Sequence, residues 1–111
     1  MIIRVFRGRL RKGGETEFYR IVREERLPAF RARHEMLEAH IGRRHDAEGD
    51  RFMIVTVWPD YETLAAWIGG APDEPYQFGE IADLLEDWQI EHFEEIAEAA
   101  PRPRATSSIG G

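Results

Sequence analysis

Four histidines, His34, His40, His45 and His92, are the side chains of this 111-residue chain best suited to moving protons near neutral pH. His92 lies in the run Trp88-Gln89-Ile90-Glu91-His92-Phe93. With Trp88, Ile90 and Ile96 on the inward side of a strand, His92 faces inward too. There it could take a phenolic proton, leaving an electron-rich phenolate able to react with oxygen. The opposite parity turns Phe93 inward and His92 outward, and the sequence leaves both open. His40 shares a strand side with Glu38, opposite Leu37, Ala39 and Ile41, and is expected on an outer sheet face beside Arg7 or Arg9. His34 and His45 fall at element ends and read as solvated.

Other chemistries find less support. No His-x-His or His-Glu-x-x-His spacing occurs, so no metal is expected. Asp46-x-Glu48-x-Asp50 lacks the glycine position and distal glutamate of a calcium loop. The absence of cysteine excludes disulfides, thiolate ligands and thiol nucleophiles, and suits a reducing cytoplasm. Schiff-base catalysis would rest on Lys12 alone, and the only serines are Ser107 and Ser108 near the C-terminus. Trp58, Trp67, Tyr76 and Phe78 could wall a planar ligand, although Trp58 reads better as core. Tyr76 and Phe78 sit in a Gly- and Pro-bearing loop that could act as a lid.

These groups depend on the elements that carry them. Ile2 to Leu10 alternates as a strand, with Ile2, Phe6 and Leu10 on one side and Ile3, Val5, Arg7 and Arg9 on the other. Gly13-Gly14 stops it, and a helix follows with Glu15 and Glu17 in its first turn and Phe18, Ile21 and Val22 as its apolar stripe. Pro28 predicts a kink or break just before it, with a further short turn from Ala29 to Arg33. Leu37 to Gly42 alternates as a second strand, and the polar run His45 to Asp50 reads as a hairpin loop.

Phe52 to Trp58 is apolar on both sides, which predicts a central strand covered on both faces. Asp60 is a good N-cap for a short helix bearing Leu64, Trp67 and Ile68, ended by Gly69-Gly70. Ala71 to Gly79 reads as a loop. Ile81, Leu84 and Leu85 suggest another short helix, and a last strand is expected from Trp88 to about Ile96. Residues 98–111 form a polar tail, expected to be mobile or docked on a neighbouring chain, so the domain is residues 1–97.

The order is β-α-β-β-α-β, which right-handed crossovers turn into a ferredoxin-like α+β fold. Its four-stranded antiparallel sheet has both helices on one face. The other face, bearing Ile3, Val5 and one side of the third strand, then lacks cover, and a two-fold homodimer is the expected remedy. A net charge of −6 with scattered arginines argues against nucleic acid. No apolar run is long enough for a signal peptide or membrane span.

The stretches Arg9-Leu10-Arg11-Lys12-Gly13, Phe52-Met53-Ile54-Val55-Thr56-Val57-Trp58 and Asp60 to Trp67 resemble the antibiotic-biosynthesis-monooxygenase-like family over roughly Met1 to Ile96. The resemblance implies a dimeric α+β barrel with a pocket between sheet and helices in each protomer. It also implies either metal- and flavin-free oxygenation of polyphenols or haem degradation. Trp67 matches a pocket-lining tryptophan of the haem-degrading branch. That branch also uses a first-strand Asn, a position that falls on Phe6 here, and an iron-ligating His where this chain has Tyr76 and Gln77; the chain contains no Asn. The leading expectation is therefore a cofactor-independent monooxygenase of a small polyphenolic aromatic, with His92 as base and Phe6, Phe18, Val22, Trp67 and Tyr76 binding substrate. A non-catalytic ligand-binding or structural dimer of the same fold is the alternative, and haem binding ranks last.

Overall fold

A computed structural model of the chain describes residues 1–69 and 80–100. The expected alternation forms β1, Ile2–Leu10, which buries Arg4, Phe6 and Leu10. Glu15–Ile21 forms α1, with Glu15 and Glu17 at its N-terminus and Phe18 and Ile21 against the sheet. Pro28 bends the path without breaking it. Val22–Arg26 widens into a π-helical segment, and α2, Leu27–Arg31, continues from it with Pro28 in its first turn. The Leu27 N–H reaches back to the Val22 carbonyl, five residues away, so the added residue absorbs the donor that proline lacks.

The hairpin corrects the sequence reading. β2 spans Glu38–Asp46 and β3 spans Gly49–Trp58, so only Ala47 and Glu48 turn the chain. The Asp46 carboxylate accepts the Glu48 N–H at 2.9 Å, and Gly49 adopts a φ of 114° that side-chain-bearing residues resist. Polar residues here are paired strand residues rather than loop. α3, Tyr61–Ile68, starts on the Asp60 carboxylate, which accepts the Thr63 N–H at 2.7 Å, and ends at Gly69. A single helical turn, α4 at Glu80–Asp83, leads into β4, Leu85–Glu94. β4 thus begins three residues before Trp88 and ends before Ile96, which is exposed.

The sheet order is β2-β3-β1-β4 with every neighbouring pair antiparallel, the ferredoxin-like βαββαβ arrangement. β3 is central as its composition requires. Its Phe52, Ile54, Thr56 and Trp58 are buried toward the helices, while Met53 and Val55 point to the outer face. Among the described residues no helix covers that outer face.

Register turns the inner face into transverse rows. Ile41, Ile54, Phe6 and Ile90 form one row; Trp58 and Ile2 belong to the row four residues along. The first row belongs to a core cluster with Phe18, Ile21, Val22 and Phe30 of the α1–α2 arm. Trp58 belongs to a second cluster with Leu64 and Ile68 of α3. Met36 and Trp67 pack against both.

Candidate functional site

Between these two apolar rows lies a polar one. Ala39 pairs with Thr56, Thr56 with Arg4, and Arg4 with His92, which places all four side chains on the helix-facing side. The row lies where the α1–α2 arm and α3 meet. Arg4 and Thr56 are each 2% exposed. Burying a guanidinium costs several kcal/mol unless hydrogen bonds replace its water, so its partners matter.

One partner is His92, whose Nε2 lies 3.0 Å from Arg4 Nη1. Arginine only donates, so a hydrogen bond at this contact requires Nε2 to accept, which is the role of the Nδ1-protonated tautomer. The Tyr61 ring stands edge-on to the imidazole with centroids 6.0 Å apart. Thr56 Oγ1 accepts the Trp58 indole N–H at 2.9 Å, satisfying a buried donor. Trp58 and Trp67 lie 5.0 Å apart at 35°, and Phe30 meets Trp67 edge-on at 6.0 Å, giving an aromatic wall along the junction.

At the β2 end the junction opens into a groove of about 560 Å³ lined by Val22, Leu27, Phe30, Met36, Ala39 and Ile41, with Arg31 and Arg33 at its rim. That volume falls in the range of small-molecule sites. A larger concavity of about 840 Å³ lies on the outer face around Gly42 and Met53. Its walls hold Arg7, Arg9, Arg43, Arg44 and Arg51. Four of these, Arg7, Arg9, Arg44 and Arg51, pair with Glu91, Glu48, Asp87 and Asp46, which offsets much of the charge there.

The residues singled out from sequence fall in separate places. Phe6 and Phe18 are fully packed, each in contact with Phe52 and closed to a ligand among the described residues. Val22 lines the groove, and Trp67, half-buried, stands behind it. His92 faces inward on β4, at the opposite sheet edge from the groove. Ile90 sets that parity, opposite Phe6; Trp88 shares the side but is 43% exposed, beyond the helical cover. Tyr76, Gln77 and Phe78 lie outside the described residues.

His40 is on the outer face as expected, yet its Nε2 pairs with Glu38 at 2.8 Å rather than with Arg7 or Arg9. His45 belongs to β2 and bonds through Nδ1 to Asp50. Asp50, 6% exposed, also accepts the Tyr19 hydroxyl, and these two bonds hold its carboxyl below the usual carboxylate range. Burial, then the hydrogen bond to Asp50, pushes the Tyr19 phenol up to about 12. Among the described residues no three His, Asp or Glu side chains converge to hold a metal ion.

Arg4 is the residue the sequence reading passed over. Its signal was available: it shares the parity of Ile2, Phe6 and Leu10, and a charge on the core side of a strand demands a partner.

Searches of protein-family models and of curated proteins return no match. Solved structures do match in fold. A candidate antibiotic biosynthesis monooxygenase from Deinococcus radiodurans aligns with a TM-score of 0.69 and 15% identity, covering 94% of this chain and all of that one. The chain has the antibiotic-biosynthesis-monooxygenase-like fold. SnoaB from Streptomyces nogalater, described as a cofactor-independent oxygenase, shares that fold with a TM-score of 0.63 and 18% identity over 90% of this chain and 97% of its own. MhuD, solved with manganese protoporphyrin IX, aligns at 0.62 with 17% identity over 91% of this chain and 100% of its own. At these identities the likeness is one of fold, and the residues of the polar row carry the functional argument.

Proposed function

We propose that the chain is a cofactor-independent monooxygenase of a small polyphenolic aromatic. The observation behind this reading is the Arg4–His92 pair, a cation and an imidazole on a largely apolar inner face beside the Trp58–Trp67 wall. The fold shared with SnoaB adds to it. In this reading the substrate ring lies along the aromatic wall and its hydroxyl reaches His92 Nε2. Transfer of the phenolic proton leaves a phenolate rich enough in electrons to reduce O2. The substrate supplies all four electrons that reduce O2: it gains one oxygen atom in a new C–O bond and gives up two hydrogens, with which the other oxygen departs as water.

A second copy of the chain completes the assembly in this reading. It covers the outer sheet face, where Ile3, Val5, Met53, Val55 and Phe93 form the apolar part. Oxygen uptake by the purified chain with dihydroxy- and trihydroxy-aromatics tests the activity. Should no compound raise uptake above the uncatalysed rate, the non-catalytic ligand binder replaces the oxygenase. One feature favours that alternative: the groove offers apolar walls, while the base stands at the other sheet edge. Haem ranks last, because the chain has no Asn for the first-strand position.

A further inference from the structure

We infer that Arg4 presets His92 as the neutral, Nδ1-protonated tautomer and receives the oxyanion when a phenolic substrate gives its proton to Nε2. The inference rests on the reading of His92 as base and names what that base requires. The Arg4 guanidinium already donates to Nε2 at 3.0 Å, so the lone pair that must accept the proton is held at a fixed place and direction. A hydroxyl enters by displacing this hydrogen bond. Its O–H bond then breaks, the proton goes to Nε2, and the electron pair stays on oxygen. The imidazole becomes an imidazolium while the guanidinium N–H turns from nitrogen to the new oxyanion. Charge is conserved, and no other reactant is needed for the step.

Burial gives the arrangement its force, since a cation 2% exposed acts through little water. Among the described residues, Arg4 from β1 and Tyr61 from α3 face His92, with Ile90 and Glu94 on its own side of β4. The favoured ligand is thus an ionisable aromatic hydroxyl, taken up as its anion, in preference to a neutral ring of the same shape.

The probe is 4-nitrocatechol, whose absorption reports phenol or phenolate directly and whose binding needs no turnover. Bound to the wild-type chain it should ionise about 1–3 pH units lower than in water, as expected beside a close opposite charge. Arg4→Gln should abolish that lowering and weaken phenolate binding at least about tenfold, the equivalent of one such unit. Arg4→Lys, which keeps the charge, should retain part of it and serves where Arg4→Gln fails to fold. Nitrogen NMR of the wild-type imidazole should also show the Nδ1-protonated tautomer. Probe bound as neutral phenol, no binding, phenolate capture unchanged in Arg4→Gln, or the Nε2-protonated tautomer would each overturn the inference. Phenolate capture without oxygen uptake leaves it standing and removes the oxygenase reading. Oxygen uptake with an unchanged pH profile in Arg4→Gln does the reverse.

Discussion

The Tyr19 hydroxyl donates to Asp50 Oδ2 at 2.7 Å, tying α1 to the start of β3 beside the hairpin. Asp50 accepts His45 through its other oxygen, and the Arg43 guanidinium lies 5.4 Å from the centre of the Tyr19 ring. The network makes stability depend on pH in two directions. Asp50 is held below its ordinary value of 3.8, so its contribution is present above that pH and is lost as pH falls further. Tyr19 is raised from 10.0 to about 12, so its contribution is present below pH 10 and is lost as pH rises toward the upper value.

Tyr19→Phe is therefore expected to destabilise the fold by about 1.5–3 kcal/mol at neutral pH, the usual worth of a hydrogen bond to a charged group. Denaturant titration across pH checks this. The variant should lose less stability than wild type above pH 10, and an equal loss in both would remove Tyr19 as the alkaline group.

Gly8 makes a second prediction, on the strand pair that carries the candidate base. A Cβ built there would come within 2.4 Å of the Asp87 carbonyl oxygen and 3.1 Å of the Phe52 ring. Backbone cannot step aside as a flexible side chain does, so Gly8→Ala should push β4 away from β1. The expected cost is about 1–3 kcal/mol, typical of overpacking. Hydrogen exchange should quicken at the β1–β4 pairing more than at β2–β3. Unchanged exchange with unchanged stability would show that the strands have slack there.

How far the sequence reached follows from which forces it displays. Apolar residues on both sides of Phe52–Trp58 placed β3 at the centre, because a strand of that kind is stable only between neighbours. Asp60 read as a cap because its carboxylate has one local task, and it performs it on Thr63. The hairpin misled because polar residues usually mark loops, whereas His45 and Asp50 bond to each other across paired strands. Pro28 foretold a disturbance but not its form, since a break and a π segment both solve a missing donor. The site was legible only in half. His92 stood out by type, but its partner Arg4 is 88 residues away, and only the β1–β4 register joins them.

The outer sheet face carries a prediction about assembly. Val5 and Val55 are directly opposed at its centre, with Met53 and Phe93 41% and 49% exposed nearby. A second copy bound through this face would bury all four. Sedimentation at micromolar concentration should show a dimer. Val5→Glu or Val55→Glu should shift it toward monomer, because a two-fold axis sets each new charge near its own copy. Circular dichroism separates this effect from unfolding. A wild-type monomer at that concentration would remove the second copy from the proposed assembly.

The last prediction separates wall from base. Trp67 touches Trp58 and Phe30 but is only half-buried, so Trp67→Ala should cost less than the roughly 3–5 kcal/mol of a fully buried ring. Its larger effect should fall on binding, raising KM for a polyphenol by removing the surface on which the ring rests. His92→Gln acts on the other term. Glutamine can still accept from Arg4, so the fold should survive, but it cannot hold the phenolic proton. General-base assistance is typically worth ~10²–10⁴-fold, and kcat should fall by about that factor with KM little changed. Oxygen-uptake kinetics on both variants across pH separates the two roles. If His92→Gln keeps full kcat, the oxygenase survives and the base lies elsewhere. If Trp67→Ala lowers kcat and leaves KM untouched, the aromatic wall does not hold the substrate.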